Sequence, residues 1–367
     1  INAEYGTFMP SFMVLGGCGF IGRTVIEHIQ KEELAAKVRV VDKRSAEMAN
    51  MLESQEEMFN DESFVEFIQA DLSRDAMVAK AFAGQKFDYV INCAGDTELG
   101  LEDAVYNERV ISVTEKCAKA AAAAGSKFVQ VSDARVYKPT SKICTEDSAI
   151  KPWTKLAEAH HKAEQILAQI PNLNFVVIRP SIVYGPGDKS GLMPRCVLAA
   201  TYIFLKQTLQ VPFGPKVKMS TVHVRDVATA AITACLHGVK GQVYNLADSA
   251  NITLGELNQL IEAVFNIKVE FVSGAMNMAL KAATNLAAET INDKHMKPWS
   301  DCCAQSKIDG PILSPFLSPE TLSDSDLFID GSKITKIGGF TYRHPKPNAG
   351  LLMEQVNYFR KQNQFPK

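Results

Sequence analysis

A cluster of glycines lies directly after the first apolar run of the chain. Gly16, Gly19 and Gly22 recur at three-residue intervals, with an additional Gly17. Glycine permits a tight turn and lets backbone N–H groups approach a pyrophosphate, and the N-terminus of a following helix favours the same negative charge. A strand signal precedes the cluster and a helix signal follows it, so the segment predicts a dinucleotide-binding loop rather than a tight turn in a nucleotide-free domain. The segment is Val14-Leu15-Gly16-Gly17-Cys18-Gly19-Phe20-Ile21-Gly22.

An acidic residue occupies the position expected of a ribose ligand. Asp42 lies about 20 residues after Gly22, at the end of the second strand, where a carboxylate accepts hydrogen bonds from the adenosine ribose hydroxyls. Lys43 and Arg44 follow directly and would instead meet a 2′-phosphate. The sequence therefore predicts NAD or NADP as cofactor, and Asp42 favours NAD.

Short apolar segments alternate with helical patterns through most of the chain. Strands that are apolar throughout are buried on both faces, and their alternation with helices indicates a parallel sheet built from right-handed βαβ units. The predicted fold class is α/β, a Rossmann-like doubly wound parallel sheet with a smaller, irregular C-terminal region on the substrate side. Prolines interrupt residues 275–330, which we expect to be rich in loops. The predicted strands are 12–15, 38–41, 64–69, 89–92, 127–131, 175–178, 220–224 and 242–246. The predicted helices are 21–30, 74–83, 105–124, 157–169, 192–205, 226–237 and 254–265.

Composition and charge exclude several classes of protein. The 367 residues are 46% hydrophobic and 22% charged with a net charge of −2, which excludes a disordered or collagen-like chain and the basic excess of a nucleic-acid-binding protein. No apolar run approaches the roughly 20 residues that cross a bilayer, so no transmembrane segment is predicted. The eight cysteines are scattered without zinc-ligand spacing. Free thiols of this kind indicate a reducing compartment, either the cytoplasm or the mitochondrial matrix.

Further motifs extend the pattern beyond the glycine loop. With the loop and Asp42, they resemble the extended short-chain dehydrogenase/reductase family, which comprises NAD-dependent sugar epimerases, dehydratases and 3β-hydroxysteroid dehydrogenases. The resemblance runs from about residue 11 to about residue 345 and is specific for the fold, not for a substrate. The motifs are Asp71-Leu72, Asn92-Cys93-Ala94-Gly95, Val131-Ser132-Asp133-Ala134-Arg135-Val136-Tyr137, Arg179-Pro180-Ser181-Ile182-Val183-Tyr184-Gly185-Pro186-Gly187, His223-Val224-Arg225-Asp226-Val227-Ala228 and Tyr244-Asn245-Leu246-Ala247.

The resemblance implies a place for each part of a bound cofactor and a division of the chain. Residues 11–188, with about 220–250 and 331–345, would form the NAD(P)-binding Rossmann domain. About 189–219 and 251–330 would form a smaller substrate-side or partner-binding region. The residues implied at the cofactor are Asp71 and Leu72 at the adenine, Ala94 and Gly95 near the nicotinamide ribose, and Pro180 to Val183 against the nicotinamide.

The family's hydride chemistry implies three catalytic residues. A tyrosine acts as acid/base, a lysine four residues later lowers its pKa and holds the ribose, and a serine or threonine hydrogen-bonds the substrate oxygen. Lys162 matches the lysine, but Glu158 stands at the tyrosine position and Asp133 at the hydroxyl position. A carboxylate cannot deliver the phenolic proton that a neighbouring cation tunes towards neutral pH. We therefore expect carbonyl–alcohol redox chemistry to be lost or strongly impaired.

Two interpretations of function follow from the acidic residues at the implied catalytic positions, and a third is considered beside them. The first is an NAD(P)-binding, non-catalytic accessory or structural subunit, by fold-level analogy with the dinucleotide-binding accessory subunit of mitochondrial respiratory complex I. The second is an active epimerase, dehydratase or 3β-hydroxysteroid-type dehydrogenase acting on a nucleotide sugar or sterol, in which Glu158, Asp133, His160 or His161 supplies the acid/base group. A sensor of the NAD(P)H ratio is a third, with no sequence feature in its favour. The expected partners are the dinucleotide and a larger protein assembly or homodimer.

Overall fold

A parallel β-sheet forms the centre of the molecule. The structure is a computed structural model, which describes residues 9–322 and 326–367. Eleven strands occur in the described residues, and their bounds are β1 (Phe12–Leu15), β2 (Val38–Asp42), β3 (Val65–Gln69), β4 (Tyr89–Asn92), β5 (Lys127–Val131), β6 (Asn174–Pro180), β7 (Ile182–Tyr184), β8 (Leu209–Val211), β9 (Thr221–His223), β10 (Val243–Leu246) and β11 (Val269–Phe271). Seven of them form the main sheet in the order β10-β6-β5-β4-β1-β2-β3, with every neighbouring pair parallel. This arrangement confirms the predicted α/β, Rossmann-like fold class.

Helices connect the strands and continue beyond the sheet. A π-helical segment, Asn107–Ser112, joins the fourth and fifth helices, and 3-10 turns occur at Ala134–Val136, Pro319–Leu322 and Ile334–Lys336. The helices are α1 (Phe20–Lys31), α2 (Glu53–Asn60), α3 (Asp75–Phe82), α4 (Asp103–Tyr106), α5 (Val113–Ala124), α6 (Lys155–Leu167), α7 (Met193–Leu205), α8 (Val224–His237), α9 (Leu254–Phe265), α10 (Gly274–Ala282), α11 (Thr284–Gln305) and α12 (Ala349–Lys361).

Helices cover both faces of the sheet. Successive side chains of each strand point to opposite faces, so each strand contributes to the packing on both sides. In β1, Phe12 and Val14 pack into a cluster with α1 and α8. Met13 and Leu15 pack into a second cluster with α3 and α5 on the other face. All four side chains are fully buried, which explains why the strand reads as a continuous apolar run.

A second core lies in the C-terminal half of the chain. It is built from α7, α9, α11 and α12. Two small parallel pairs, β7 with β9 and β8 with β11, join this half to the main sheet region. The segment predicted as a strand at 220–224 is therefore a strand, but it pairs outside the main sheet.

The prediction that residues 275–330 form an irregular region is wrong for its first part. Helices α10 and α11 occupy most of 274–305, and α11 continues through Pro298. Tertiary packing outweighs the local signal there: Trp299 is buried, and its indole Nε1–H donates to the carbonyl of Leu313 at 2.8 Å.

None of the helices in the described residues is long and apolar enough to span a bilayer.

Candidate active site

The glycine loop leaves the N-terminus of α1 free of side chains. Gly16 has a φ of +71°, and a Cβ there would lie 2.6 Å from the Ala94 nitrogen. A Cβ at Gly22 would lie 2.3 Å from the Gly16 carbonyl oxygen. Gly19 is the N-cap residue and offers no side chain to the first amides of α1, which have no acceptor within the helix. This cradle fits a pyrophosphate, as the glycine spacing predicts.

Asp42 braces this loop against the end of β2. Its carboxylate accepts hydrogen bonds from the Cys18 N–H at 3.0 Å and from the Arg44 N–H at 3.0 Å. The Asp42 side chain is buried, whereas the side chain of Arg44 is exposed. The structure therefore brings Asp42 and Arg44 together beside the glycine loop, where the sequence places them.

The remaining predicted cofactor residues follow the carboxyl ends of neighbouring parallel strands. Asn92 ends β4; its side-chain oxygen accepts from the Ala94 N–H at 3.1 Å, and its amide donates to Gln130 of β5 at 2.7 Å. These bonds hold the turn at Gly95 beside the glycine loop. In parallel sheets this edge is where ligands bind. The predicted residues at or just beyond this edge are Asp71 and Leu72 after β3, Ala94 and Gly95 after β4, Pro180 at the end of β6, and Val183 in β7.

Lys162 and Glu158 form an ion pair on α6. Lys162 and Glu158 lie one turn apart on α6, and Lys162 Nζ is 2.8 Å from Glu158 Oε1. Both side chains are more than half exposed, at 53% and 57%, so the pair contributes little to stability. The pair occupies the two positions at which the family resemblance implies a lysine and a tyrosine.

Asp133, which the resemblance implies at the hydroxyl position, is also ion-paired. Asp133 accepts from the backbone N–H and the guanidinium of Arg135. Burial would raise the pKa of Asp133, but the Arg135 guanidinium and its hydrogen bonds hold that pKa below its usual value. Asp133 is therefore an anion at neutral pH and a poor proton donor. The sequence analysis did not single out Arg135 as its partner.

The two histidines of α6 differ in environment. The Nδ1 atom of His160 is buried and has no hydrogen-bond partner among the described residues. Burial lowers the pKa of His160, and the charge of Asp133 opposes the shift. The Nδ1 atom of His161 is likewise buried without a hydrogen-bond partner among the described residues, and it lies 3.6 Å from Glu164 Oε2. The two imidazoles therefore differ in the charges around them: Asp133 and Glu164 act on His160, and Glu164 lies beside His161.

Two tyrosines near these residues have fully engaged hydroxyls. The Tyr106 hydroxyl donates to the Glu98 carbonyl at 2.7 Å and accepts from the Leu101 N–H at 3.2 Å. The Tyr137 hydroxyl accepts from Arg179 at 2.7 Å, and it is also 2.7 Å from the side-chain oxygen of an asparagine in β10. Burial raises the pKa of Tyr137 to about 12. Neither hydroxyl is therefore free to act as an acid/base group in this arrangement.

A buried polar network fastens α6 to the sheet behind the site. Arg179 of β6 donates to Glu164 of α6, with Nε 2.9 Å from Oε1, and the Ser132 hydroxyl donates to the same carboxylate. Burial opposes ionisation, yet the Arg179 guanidinium and the hydrogen bonds lower the pKa of Glu164 to about 2. The sequence analysis missed this pair, although an arginine inside an otherwise apolar buried strand is a signal that requires a partner.

A late segment of the chain reaches the start of α6. The Glu320 carboxylate accepts from the Lys155 N–H at 2.8 Å and from the Gly100 N–H at 3.2 Å. Its negative charge lies at the positive end of the α6 dipole and within range of Arg135. Lys155 and Glu320 are 165 positions apart in the sequence. No local pattern indicates that they are in contact.

Comparison with known proteins agrees with this geometry. A model of the NAD dependent epimerase/dehydratase family matches residues 12–247. The chain is 25% identical over 280 residues to a 4-hydroxy-2-methyl-3-oxo-4-farnesyl-3,4-dihydroquinoline-1-oxide ketoreductase of Stigmatella aurantiaca, covering 74% of this chain and 78% of the relative. It is 25% identical over 270 residues to a dTDP-D-glucose 4,6-dehydratase of Mus musculus, covering 71% and 74%.

The fold has close counterparts among solved structures. A double mutant of the dTDP-glucose 4,6-dehydratase DesIV from Streptomyces venezuelae, with NAD and DAU bound, superposes with a TM-score of 0.68 at 18% identity, covering 95% of this chain and 96% of that chain. This likeness supports the fold, and the family description confirms NAD as the expected cofactor. On the family match over 236 contiguous positions, from residue 12 to residue 247, the chain belongs to the NAD dependent epimerase/dehydratase family.

Proposed function

We propose that this protein binds NAD at the glycine loop and has lost ordinary carbonyl–alcohol hydride chemistry, so that it serves as an accessory or structural subunit. The observation that carries the proposal is the pairing of both catalytic positions. Glu158 is ion-paired with Lys162, and Asp133 is ion-paired with Arg135. Neither position holds a group that can protonate a substrate alkoxide at neutral pH.

The chain's own residues retain the parts of the site that bind a dinucleotide. The glycine loop and the N-terminus of α1 would receive the pyrophosphate, Asp42 lies at the position for the adenosine ribose, and Lys162 remains for the second ribose. NAD supplies a hydride acceptor when bound. The two ion-paired carboxylates supply no proton to a substrate oxygen, so the negative charge that develops there would not be neutralised by general-acid catalysis. The site therefore favours binding over turnover, and bound NAD would stabilise the folded chain by mass action.

An active enzyme is the alternative, and one observation favours it. The curated relatives are named as a ketoreductase and as dehydratases, and His160 has a buried, unpartnered Nδ1 among the described residues. Because burial lowers its pKa, His160 is neutral at pH 7 and can accept a proton. In this reading it replaces the tyrosine as the acid/base group for a nucleotide sugar or sterol.

Restoring the missing hydroxyls tests the proposal. The double variant D133T/E158Y is assayed with NAD and a panel of dTDP-glucose, UDP-glucose and a 3β-hydroxysteroid. Chromatographic separation of the products is the readout for the two sugar nucleotides, because their epimerisation or dehydration returns the hydride and leaves no net NADH, and NADH absorbance is the readout for the steroid. We expect no turnover by the wild-type chain and a gain by the double variant. E158Q is the matched control, because it removes the carboxylate without adding a phenol, and it should stay inactive.

Turnover by the wild-type chain at ordinary enzyme rates would refute the proposal. Loss of that turnover in His160→Ala would then support the alternative. The binding half of the proposal is tested separately, by denaturing protein purified from its source and identifying any released nucleotide by mass spectrometry. Stoichiometric NAD is the expected result. The native mass in a cell extract, compared with that of the purified chain, tests the accessory role.

A further inference from the structure

The segment 313–322, which we call the strap, is fixed at its beginning to the second core. Leu313 is buried in that core, and its carbonyl accepts from the Trp299 indole N–H at 2.8 Å. Asn292 of α11 then holds Leu317 through two hydrogen bonds. Its side-chain oxygen accepts from the Leu317 N–H at 2.8 Å, and its amide donates to the Leu317 carbonyl at 3.0 Å. The first half of the strap therefore belongs to the second core.

The second half of the strap lies against elements of the main sheet region. Ser318 is buried beside Gly100, in the loop that follows β4, where an added Cβ would lie 3.1 Å from the Ser318 hydroxyl. The Glu320 carboxylate accepts from the Gly100 N–H with Oε2 and from the Lys155 N–H with Oε1. Because Gly100 and Lys155 belong to different elements, one carboxylate joins the strap both to the loop after β4 and to the start of α6.

The elements that receive Glu320 are themselves packed together. The Lys155 ammonium group is 3.0 Å from the Asp103 carboxylate, and Leu156 is buried in a small apolar cluster with Tyr106. Glu158 follows Lys155 by about one turn of the same helix. The strap therefore spans the distance from the second core to the helix that carries Glu158.

Glu320 is the releasable contact of this bridge. Its hydrogen bonds to Gly100 and Lys155 lie at the surface of the molecule, where water can replace them. Buried Leu313 and Leu322 fix the two ends of the strap, so release of Glu320 would free the part between them rather than the whole segment. Hydrogen bonds to an ionised carboxylate are stronger than those between neutral groups, so this one side chain contributes much of the local attachment.

We propose that the strap closes the substrate side of the cleft and that Glu320 is the clamp that holds it closed. A ligand then enters or leaves when Glu320 releases Gly100 and Lys155. Glu320 acts through α6 and the loop after β4, so it is a positioning residue. The inference goes beyond the proposed function, because a strap of this kind controls access whether or not a substrate is turned over; only its cofactor arm rests on the proposed binding of NAD.

Hydrogen exchange and proteolysis of the full chain test the clamp without any ligand. Glu320→Ala removes both acceptor oxygens, Glu320→Gln keeps one, and Glu289→Gln changes an exposed glutamate of α11 as the matched control. In Glu320→Ala the amides of residues 98–103 and 153–158 should exchange about tenfold faster. Chymotrypsin should cleave after the 55% exposed Phe316 faster by about the same factor. Glu320→Gln should give a smaller increase, and Glu289→Gln should match the wild type.

The rate of cofactor release tests whether the clamp closes the cleft. NADH bound to the chain is displaced by excess NAD, and the loss of its fluorescence is followed by stopped flow. Release should be about tenfold faster from Glu320→Ala than from the wild type or Glu289→Gln. Thermal unfolding of each variant shows whether the fold is intact, and Glu320→Gln carries the test if Glu320→Ala does not fold.

The outcomes separate this inference from the proposed function. Unchanged exchange and cleavage in the Glu320 variants would overturn the clamp. Faster exchange with unchanged NADH release would overturn the closure, since the strap would then move without opening a path for the cofactor. If the wild-type chain binds no NADH, the proposed function fails, and exchange and cleavage alone decide whether Glu320 holds the strap.

Discussion

Replacing Glu164 by glutamine tests how α6 is held in place. In the native chain this buried carboxylate is paired with Arg179 and accepts the Ser132 hydroxyl. Glutamine keeps the size of the side chain and one acceptor oxygen but leaves the guanidinium without its counter-charge. Helix α6 carries both Glu158 and Lys162, so a weakened anchor displaces the site as well as lowering stability.

The lowered pKa of Glu164 gives the size of the expected loss of folding stability. It falls from 4.5 to about 2, which corresponds to about 3 kcal/mol of stability at neutral pH. Breaking one partner of a buried pair is independently expected to cost about 3–5 kcal/mol. Because the folded-state pKa is lowered, this stability is fully present above about pH 4.5 and is lost as the pH falls towards 2. At about pH 3.5 a little under half of it is gone.

Urea unfolding followed by circular dichroism measures the effect. Glu164→Gln should lower the free energy of unfolding by about 3 kcal/mol at pH 7, and the difference from the wild type should shrink by a little under half at about pH 3.5. Glu158→Gln is the matched control on the same helix, since its ion pair is exposed and should contribute less than about 1 kcal/mol. A loss below about 1 kcal/mol at pH 7 for Glu164→Gln, or a difference that grows as the pH falls, would refute the reasoning.

Two further predictions concern the cradle and a buried acid. Gly22→Ala places a Cβ 2.3 Å from the Gly16 carbonyl oxygen, so the loop must shift and NAD affinity should fall about 100-fold by calorimetry; Gly274→Ala, with no atom within 4 Å of its added Cβ, should bind normally. Burial raises the pKa of Asp248 from 3.8 to about 6, so this group's stabilising contribution is full below about pH 3.8 and is lost as the pH rises through 6. Asp248→Asn should therefore remove a decline of about 2 kcal/mol between pH 4 and 7 in urea unfolding, and a wild-type curve that is equally flat would contradict this.

The part of the fold that sequence reasoning captures is the part that local patterns determine. The strand β1 is buried on both faces and so is apolar at every position. Gly22 is required by the loop itself, because an added Cβ would lie 2.3 Å from the Gly16 carbonyl oxygen, whereas an added Cβ at Gly16 would meet Ala94 from the turn after β4. Helix α11 was missed because the local signal of Pro298 opposes a helix, while the burial of Trp299 that favours it comes from tertiary packing. The predicted irregular region was wrong for that physical reason.

The candidate site likewise contains residues that local spacing predicts and contacts that only the tertiary structure shows. The register of Asp133, Glu158 and Lys162 comes from spacing and stays a prediction; the structure shows that Glu158 and Lys162 share α6 and that all three side chains are ion-paired. Their partners were not predictable in the same way, because Arg135 folds back on Asp133 through a local turn and Glu320 arrives from a segment with no pattern of its own. The roles of the cofactor residues stay predictions until a dinucleotide is measured on the chain.

The last helix supports the first loop, and this has a consequence for synthesis. Tyr358 of α12 accepts a hydrogen bond from Arg23 at 2.9 Å, and Gln355 holds Asp188 and the Gly185 N–H. When the ribosome has made residues 12–247, the chain already contains all the glycines of residues 16–22. Helix α12, which supports this loop, has not yet been synthesised. At about 5–20 residues per second, the nascent chain waits several seconds for that support. Premature termination before α12 would leave a chain that carries the complete family signature yet emerges with an unbraced nucleotide loop.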